Sequence, residues 1–235
     1  MDYDETFSPV VKPATVRIVL AVAVQNHWSL KQLDVSNAFL HGVLQEEVFM
    51  SQPQGYVDPI HPNYVCKLHK AIYGLQQAPR AWFDSFTSEL FHLGFHSSPV
   101  DSNLFILNHD TFLVYLLLYV DDIIVTGNSL HFIDHLVSRL ATIFDLKDLG
   151  PLTYFLGLQI ESTSQGLFVH QSKYALDLLT KFNMLDYKPS VTPCFPTVHV
   201  NSQSSPLLHD PTVFRSMVGG LQYLIFTRPD LAFSV

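Results

Sequence analysis

Basic residues are scarce in this chain of 235 residues: 13 Lys and Arg stand against 21 Asp and Glu, a net charge of −8. Phosphate contacts are made by Lys and Arg, so this balance speaks against a nucleic-acid binder. Cysteine is scarcer still. Cys66 and Cys194 are too few for a disulfide framework or a zinc site. The longest apolar run, Phe112 to Val120, is nine residues, where a membrane span needs about 20. No basic-then-apolar leader opens the chain, so secretion is not expected and an intracellular, reduced setting is. No Gly-rich phosphate loop and no Ser/His/Asp order is present. Charged residues make up only 14% of the chain, against about a quarter in soluble domains.

What the chain has is apolar bulk. Hydrophobic residues are 48%, with 18 Phe and 10 Tyr. That is enough for one sizeable core or two modest ones, and it excludes a disordered tail. The acidic excess is concentrated: residues 71–162 hold 3 basic and 10 acidic side chains.

The pattern along the chain is mixed. Pro13 opens a helix expected to run to about Asn26, apolar on nearly every side between Val16 and Val24 and so expected to be buried. Trp28 to Val35 reads as a strand. Glu47–Met50 and Tyr64–Leu68 are short strand signals. A second helix starts at Pro79, with Trp82, Phe83, Phe86 and Leu90 on one face and Gly94 at its end. Leu104–Asn108, Phe112–Tyr119 and Ile123–Thr126 are strand-like, the last two forming a tight hairpin with acidic residues at its tip. Ser129 caps a third helix with Leu130, Ile133, Val137, Leu140 and Phe144 on its buried face. Tyr154–Ser162 and Leu167–His170 make another hairpin. Residues 189–211, with five prolines, read as a linker, and a last helix spans about Pro211 to Phe226. Helices between antiparallel strands imply an α+β fold, with helices packed on one face of an antiparallel sheet.

The strongest chemical signal is Tyr119-Val120-Asp121-Asp122. Two adjacent carboxylates between apolar strands are costly unless compensated. They are either a solvent-exposed turn, where Asp is common, or a site for a hard divalent cation, which takes carboxylate oxygens, water and phosphates. Asp34, at the end of a strand, is the candidate third ligand or else a helix N-cap. Glu46–Glu47 and Asp145 with Asp148 read as solvated faces or caps. His131 and His135, four apart on a helix, lack an evident third ligand and read as a solvent face.

Three blocks make a resemblance specific: Asp34-Val35-Ser36-Asn37-Ala38-Phe39-Leu40-His41-Gly42, Tyr73-Gly74-Leu75-Gln76-Gln77-Ala78-Pro79-Arg80-Ala81-Trp82, and Tyr119-Val120-Asp121-Asp122. Around them stand Glu5 to Lys12, Lys147-Asp148-Leu149-Gly150, Tyr154-Phe155-Leu156-Gly157 and Thr227-Arg228-Pro229-Asp230. In this order they resemble the reverse transcriptase of copia-type LTR retrotransposons, over essentially the whole chain. The resemblance implies a right-hand polymerase with fingers, palm and thumb. Residues 1–162 would be the palm and part of the fingers, and 163–235 a thumb-like connection. It implies two Mg²⁺ ions, with Mn²⁺ as an alternative, on Asp34, Asp121 and Asp122, of which Asp34 and Asp121 are the principal ligands. The ions would activate the primer 3′-hydroxyl and stabilise in-line displacement on a dNTP. It places Phe39 as an aromatic gate against the 2′-hydroxyl, with core packing as the alternative. Tyr73, Gly74 and Tyr119 would line the nucleotide pocket, and Pro79, Leu156 and Gly157 would meet primer or template. Pro79 also serves as a plain helix start and Gly157 as a strand bulge. The implied partners are an RNA or DNA template-primer and dNTP, with no membrane. The implied location is a cytoplasmic particle or the nucleus. Oligomeric state is open.

Two positions depart from the family: Ser36 stands where Lys or a similar residue is usual, and Gln76 where Lys is usual. A basic fingers segment is expected before the position of Asp2, and an RNase H domain beyond Val235. Neither is in this chain, nor are integrase and protease segments. Two readings therefore stand side by side. One is an RNA-directed DNA polymerase fragment with its three carboxylates in place. The other is an inactive remnant, or a nucleic-acid- or protein-binding module. A Mg²⁺-dependent phosphohydrolase is a third, disfavoured by the block from Tyr73 to Trp82. Without basic fingers, this chain alone is expected to extend a primer poorly.

Overall fold

The acidic hairpin expected between residues 112 and 127 is the middle of a six-stranded antiparallel sheet. In the computed structural model, residues 10–109, 111–190 and 208–235 are described. The chain forms two compact units, residues 1–152 and 153–235. In the first unit the elements run α1 (Pro13–Gln25), β1 (Leu30–Val35), a 3₁₀ turn (Ala38–His41), β2 (Val43–Ser51) and β3 (Val65–Lys70). They continue with α2 (Ala78–His92), β4 (His96–Ser97), β5 (Leu104–His109), β6 (Phe112–Tyr119), β7 (Asp122–Gly127), α3 (Leu130–Ala141) and β8 (Leu146–Pro151). The second unit holds β9 (Tyr154–Phe155), β10 (Leu158–Thr163), β11 (Gly166–His170), α4 (Ser172–Lys181), α5 (Thr212–Leu224) and a 3₁₀ turn (Pro229–Ser234).

The large sheet has the order β4-β5-β6-β7-β1-β8. β1 enters it between β7 and β8, far from both in sequence. One face carries Leu33 and Val35 of β1, Phe105 and Leu107 of β5, Val114, Leu116 and Leu118 of β6, and Ile123 and Val125 of β7. Against that face pack Trp82, Phe86 and Leu90 of α2, and Ile133, Leu136, Val137 and Leu140 of α3. The period-2 alternation of the strands thus meets the period-3.6 stripe of two helices. The expectation of helices on one face describes α2 and α3. The other face is not open to solvent, however: Leu117, Ile124 and Thr126 are buried there, and Trp28, just after α1, packs against Tyr115 with ring centroids 6.1 Å apart.

Helix α1 starts at Pro13 as its sequence predicts, but it is one-sided. Val16, Val19, Leu20 and Ala23 are buried while Ile18 is 60% exposed. Its N-terminus has no cap from its own side chains. Asp101, from the loop before β5, accepts hydrogen bonds from the Lys12 backbone N–H at 3.0 Å and the Thr15 hydroxyl at 2.5 Å. A buried carboxylate satisfies orphan donors at the positive end of the helix.

Ser129 caps α3, its hydroxyl accepting from the Phe132 N–H at 3.3 Å. Gly94 follows α2 with φ +90°, the left-handed conformation of a helix stop. On α3, Leu130 is exposed and Leu136 is buried, a shift within the expected face. Strand β8 is absent from the sequence reading because Asp, Gly and Pro are poor strand formers. It is tolerated here as an edge strand, the usual place for Pro. The expected strand Tyr154–Ser162 is broken at Leu156–Gly157. Both have positive φ, 49° and 76°, and they turn β9 into β10. That makes the break a two-residue hairpin loop rather than a bulge. Helix α4 is a further addition. The block from Glu5 to Pro9, and residues 191–207 of the expected linker, lie outside the described residues.

Gly42 closes the 3₁₀ turn against α2. A Cβ there would lie 2.7 Å from the Trp82 backbone nitrogen and 2.9 Å from the Ala81 carbonyl carbon. Helix backbone cannot swing aside, so Gly42→Ala is expected to destabilise the first unit by about 1–3 kcal/mol, as overpacking does. Urea unfolding followed by tryptophan fluorescence checks this.

Candidate active site

Strands β6 and β7 pair down to Tyr119 opposite Asp122. The loop between them is therefore only Val120-Asp121, and Asp122 belongs to the strand. Val120 has φ +53°. A two-residue hairpin of this kind calls for positive φ at its first position, which Gly supplies most readily. A β-branched residue there is a genuine outlier, of the order of 1–3 kcal/mol in strain. Such strain is kept only where the surroundings enforce it.

On the other side, β1 pairs with β7 with Asp34 directly opposite Asp122. Directly opposite residues share a face, with Cβ atoms about 5 Å apart. Asp34 is therefore a strand residue and not a helix N-cap. The 3₁₀ turn that follows begins after Asn37, at φ 52°. The Val35 N–H donates to the Asp121 carbonyl at 2.9 Å, which ties the turn to the residue after Asp34. Asp34, Asp121 and Asp122 are thus neighbours at one end of two adjacent strands.

Burial raises the Asp122 carboxyl above its ordinary pKa, and the Asp121 charge adds to this. A hydrogen bond from Gln32 works against the rise, and Asp34 adds a smaller push. On the far side of β1, Lys147 of β8 stands opposite Asp34. Lys147 places a cation on the same face, a position that only the pairing of β8 with β1 reveals. Lys31, by contrast, is engaged with Asp134 at 2.7 Å and Asp148 at 2.9 Å. That accounts for Asp148 as part of an ion-pair network.

Among the described residues, no group of three or more His, Cys, Asp or Glu side chains closes into a metal cage. The three aspartates are register neighbours, not a preformed shell. The donor set is nonetheless all carboxylate oxygen, the chemistry of a hard divalent cation that keeps water and substrate phosphates among its ligands. The like-charge pressure on Asp122 is of the kind that such a cation relieves.

The other expected site residues divide between the units. Phe39, on the 3₁₀ turn, is half-buried and lies 5.0 Å from the Tyr73 ring. Tyr73 is exposed. Gly74 has φ +93° and open space where a Cβ would be. Pro79 is the second residue of α2. Tyr119 forms the stem of the acidic turn. Leu156 and Gly157 belong to the second unit, where the Tyr223 hydroxyl donates to the Leu156 carbonyl. Ser36 contributes no charge, and its hydroxyl is buried with no hydrogen-bond partner among the described residues. His131 and His135 are both exposed.

Trp82, expected on the buried face of α2 and at the end of the block from Tyr73, reaches the acidic turn as well. Its indole N–H donates to the Val120 carbonyl at 2.7 Å. A buried Trp seeks a partner for that N–H, which was the available signal.

Asp122→Asn removes a desolvated, repelled charge. A raised native pKa means that the unfolded chain loses this proton first, so wild-type stability falls as pH climbs from the unfolded value through the native one. The metal-free variant is expected to be more stable above that window, by roughly 0.2–1 kcal/mol for a facing like-charge pair. Below the window the two should converge, as thermal unfolding at several pH values checks.

Comparison with known proteins places the chain in a family. The family described as reverse transcriptase (RNA-dependent DNA polymerase) matches residues 1–196. The chain is 49% identical over its full length to the retrovirus-related Pol polyprotein from transposon RE2 of Arabidopsis thaliana, and 48% identical to that from transposon RE1. It is 40% identical to the Pol polyprotein from transposon TNT 1-94 of Nicotiana tabacum, again over its full length. The chain spans 16%, 16% and 18% of these three relatives. No solved structure matches it. Among the described residues, no helix is long and apolar enough to cross a membrane.

Proposed function

The chain belongs to the reverse transcriptase family of copia-type retrotransposon Pol polyproteins, and we propose that Asp34, Asp121 and Asp122 form its centre for templated DNA synthesis. The observation that carries this reading is the register of Asp34 against Asp122, with Asp121 in the adjoining turn. Mg²⁺ or Mn²⁺, when bound, supplies Lewis-acid chemistry at the phosphoryl group and lowers the pKa of the attacking hydroxyl. Asp34 and Asp121 are the principal ligands in this reading, and Asp122 supports them.

The remaining residues act on substrate. Phe39 backed by Tyr73 forms an aromatic floor that excludes a 2′-hydroxyl. Gly74, without a Cβ in open space, lets backbone approach the nucleotide. Tyr119 and Pro79 complete the pocket around the turn and the start of α2. The Leu156–Gly157 turn offers backbone to the primer strand. In a right-hand polymerase, the first unit would be palm and partial fingers, and the second a thumb-like region. The compact units part after Leu152, so residues 153–162 go with the second. Exposed aromatics on and between β2 and β3, including Phe49, Tyr56 and Tyr64, suit stacking on unpaired bases.

A second reading, template binding without synthesis, is favoured by one observation: the exposed aromatics Phe49, Tyr56 and Tyr64 can stack on bases without any metal. Primer extension on poly(rA)/oligo(dT) with Mg²⁺ separates the two. The polymerase reading expects dNTP incorporation that falls about 10²–10³-fold in Asp34→Asn or Asp121→Asn, the scale of losing one electrostatic stabiliser. Template-primer binding with incorporation no greater than in Asp121→Asn would establish the second reading instead. Phe39→Ala is expected to raise incorporation of rNTP relative to dNTP.

A further inference from the structure

Asp121 is exposed, in a two-residue turn whose first residue is a valine at φ +53°. Neither exposure nor backbone preference would hold a side chain still in such a place. Two hydrogen bonds hold the backbone that carries it. The carbonyl before Asp121, that of Val120, accepts the Trp82 indole N–H at 2.7 Å. The carbonyl of Asp121 itself accepts the Val35 N–H at 2.9 Å. Peptide units are planar, so these bonds orient the plane on each side of the Asp121 Cα. The Val35 bond is made by backbone. The Trp82 bond is made by a side chain, and a substitution can remove it.

Trp82 is itself immobile. It is 1% exposed. Its ring meets Phe86 at 5.2 Å, Phe144 edge-on at 5.4 Å and His41 at 5.9 Å between centroids. Three separate elements therefore fix the indole: α2 itself, the 3₁₀ turn and the segment after α3. Rigid aromatic packing delivers the N–H to a strained turn, and the turn delivers the carboxylate.

We propose that Trp82 is a positioning residue: through the Val120 carbonyl it sets the direction of the Asp121 carboxylate relative to Asp34. This inference rests on the proposed reading of Asp121 as a metal ligand.

The test uses Mn²⁺ binding by the whole chain, read from free Mn²⁺ in solution by electron paramagnetic resonance. Trp82→Phe keeps an aromatic ring and removes the donor. It is expected to weaken Mn²⁺ binding about tenfold or more, the usual effect of losing a group that orients a ligand. Leu107→Ala removes volume from the same core beside Gly94, at the far end of α2 from Trp82, and leaves the hydrogen bond. It is expected to lower stability and leave Mn²⁺ affinity unchanged. 3-Benzothienylalanine at position 82, which keeps the bicyclic ring without the N–H, should behave as Trp82→Phe does while folding as the native chain. Asp121→Asn separates the two levels. If it leaves Mn²⁺ binding unchanged, the metal reading falls and this inference with it. If it abolishes binding while both changes at position 82 have no effect, the inference alone is overturned. One measurement needs no folded variant at position 82. Of the two tryptophan indole N–H signals, assigned with Trp28→Phe, that of Trp82 should exchange slowly with solvent. Rapid exchange would overturn the proposal.

Discussion

The pairing of β1 with β7 is the constraint on which the rest of the first unit depends. Leu33 opposite Ile123 faces the helical core, and so Asp34 opposite Asp122 faces away from it. A slip of one residue would exchange the two sets. It would drive carboxylates into the apolar contacts of α2 and α3 and expose the buried leucine and isoleucine. The hydrophobic core therefore fixes where the acidic groups stand. The geometry of the polar end follows from the burial of its apolar neighbours.

That arrangement works against local preference in several places. Asp122 is partly desolvated beside two other carboxylates. Val120 holds a backbone conformation suited to Gly. The Ser36 hydroxyl is buried without a partner among the described residues. Each is individually unfavourable, and all lie within a few residues of the same strand ends. Costs of this kind collect where a fold serves a site rather than its own stability. The packing of Trp82 against Phe86, Phe144 and His41 lies beside that end of the sheet. It offsets part of the strain with dense apolar contact and one directed hydrogen bond.

Much of this was legible in the sequence wherever local chemistry and tertiary demand agree. Pro13 and Ser129 open α1 and α3, Gly94 stops α2, and the alternation from Leu104 to Thr126 is β5, β6 and β7. The reading failed where context overrides propensity. Leu146 to Pro151 has the composition of a loop and becomes a strand because β1 offers it an edge. Leu156-Gly157 sits inside an apparent strand and turns it, and Tyr223, distant in sequence, donates to the Leu156 carbonyl. Helix α1 is apolar on nearly every side in composition yet exposes Ile18, because the burial of a helix is set by its neighbours.

The sequence by itself determined the family and singled out the three aspartates, because ordered blocks of residues carry that information directly. It also determined which strands alternate and where helices begin. Only the tertiary structure decided that Asp34 faces Asp122 rather than capping a helix, and that Lys147 stands on the far side of Asp34. It alone showed that the indole N–H of Trp82 reaches the turn. The reason is physical: these relations join residues tens of positions apart through strand register and side-chain packing. No local propensity encodes a distance that exists only once the core has closed.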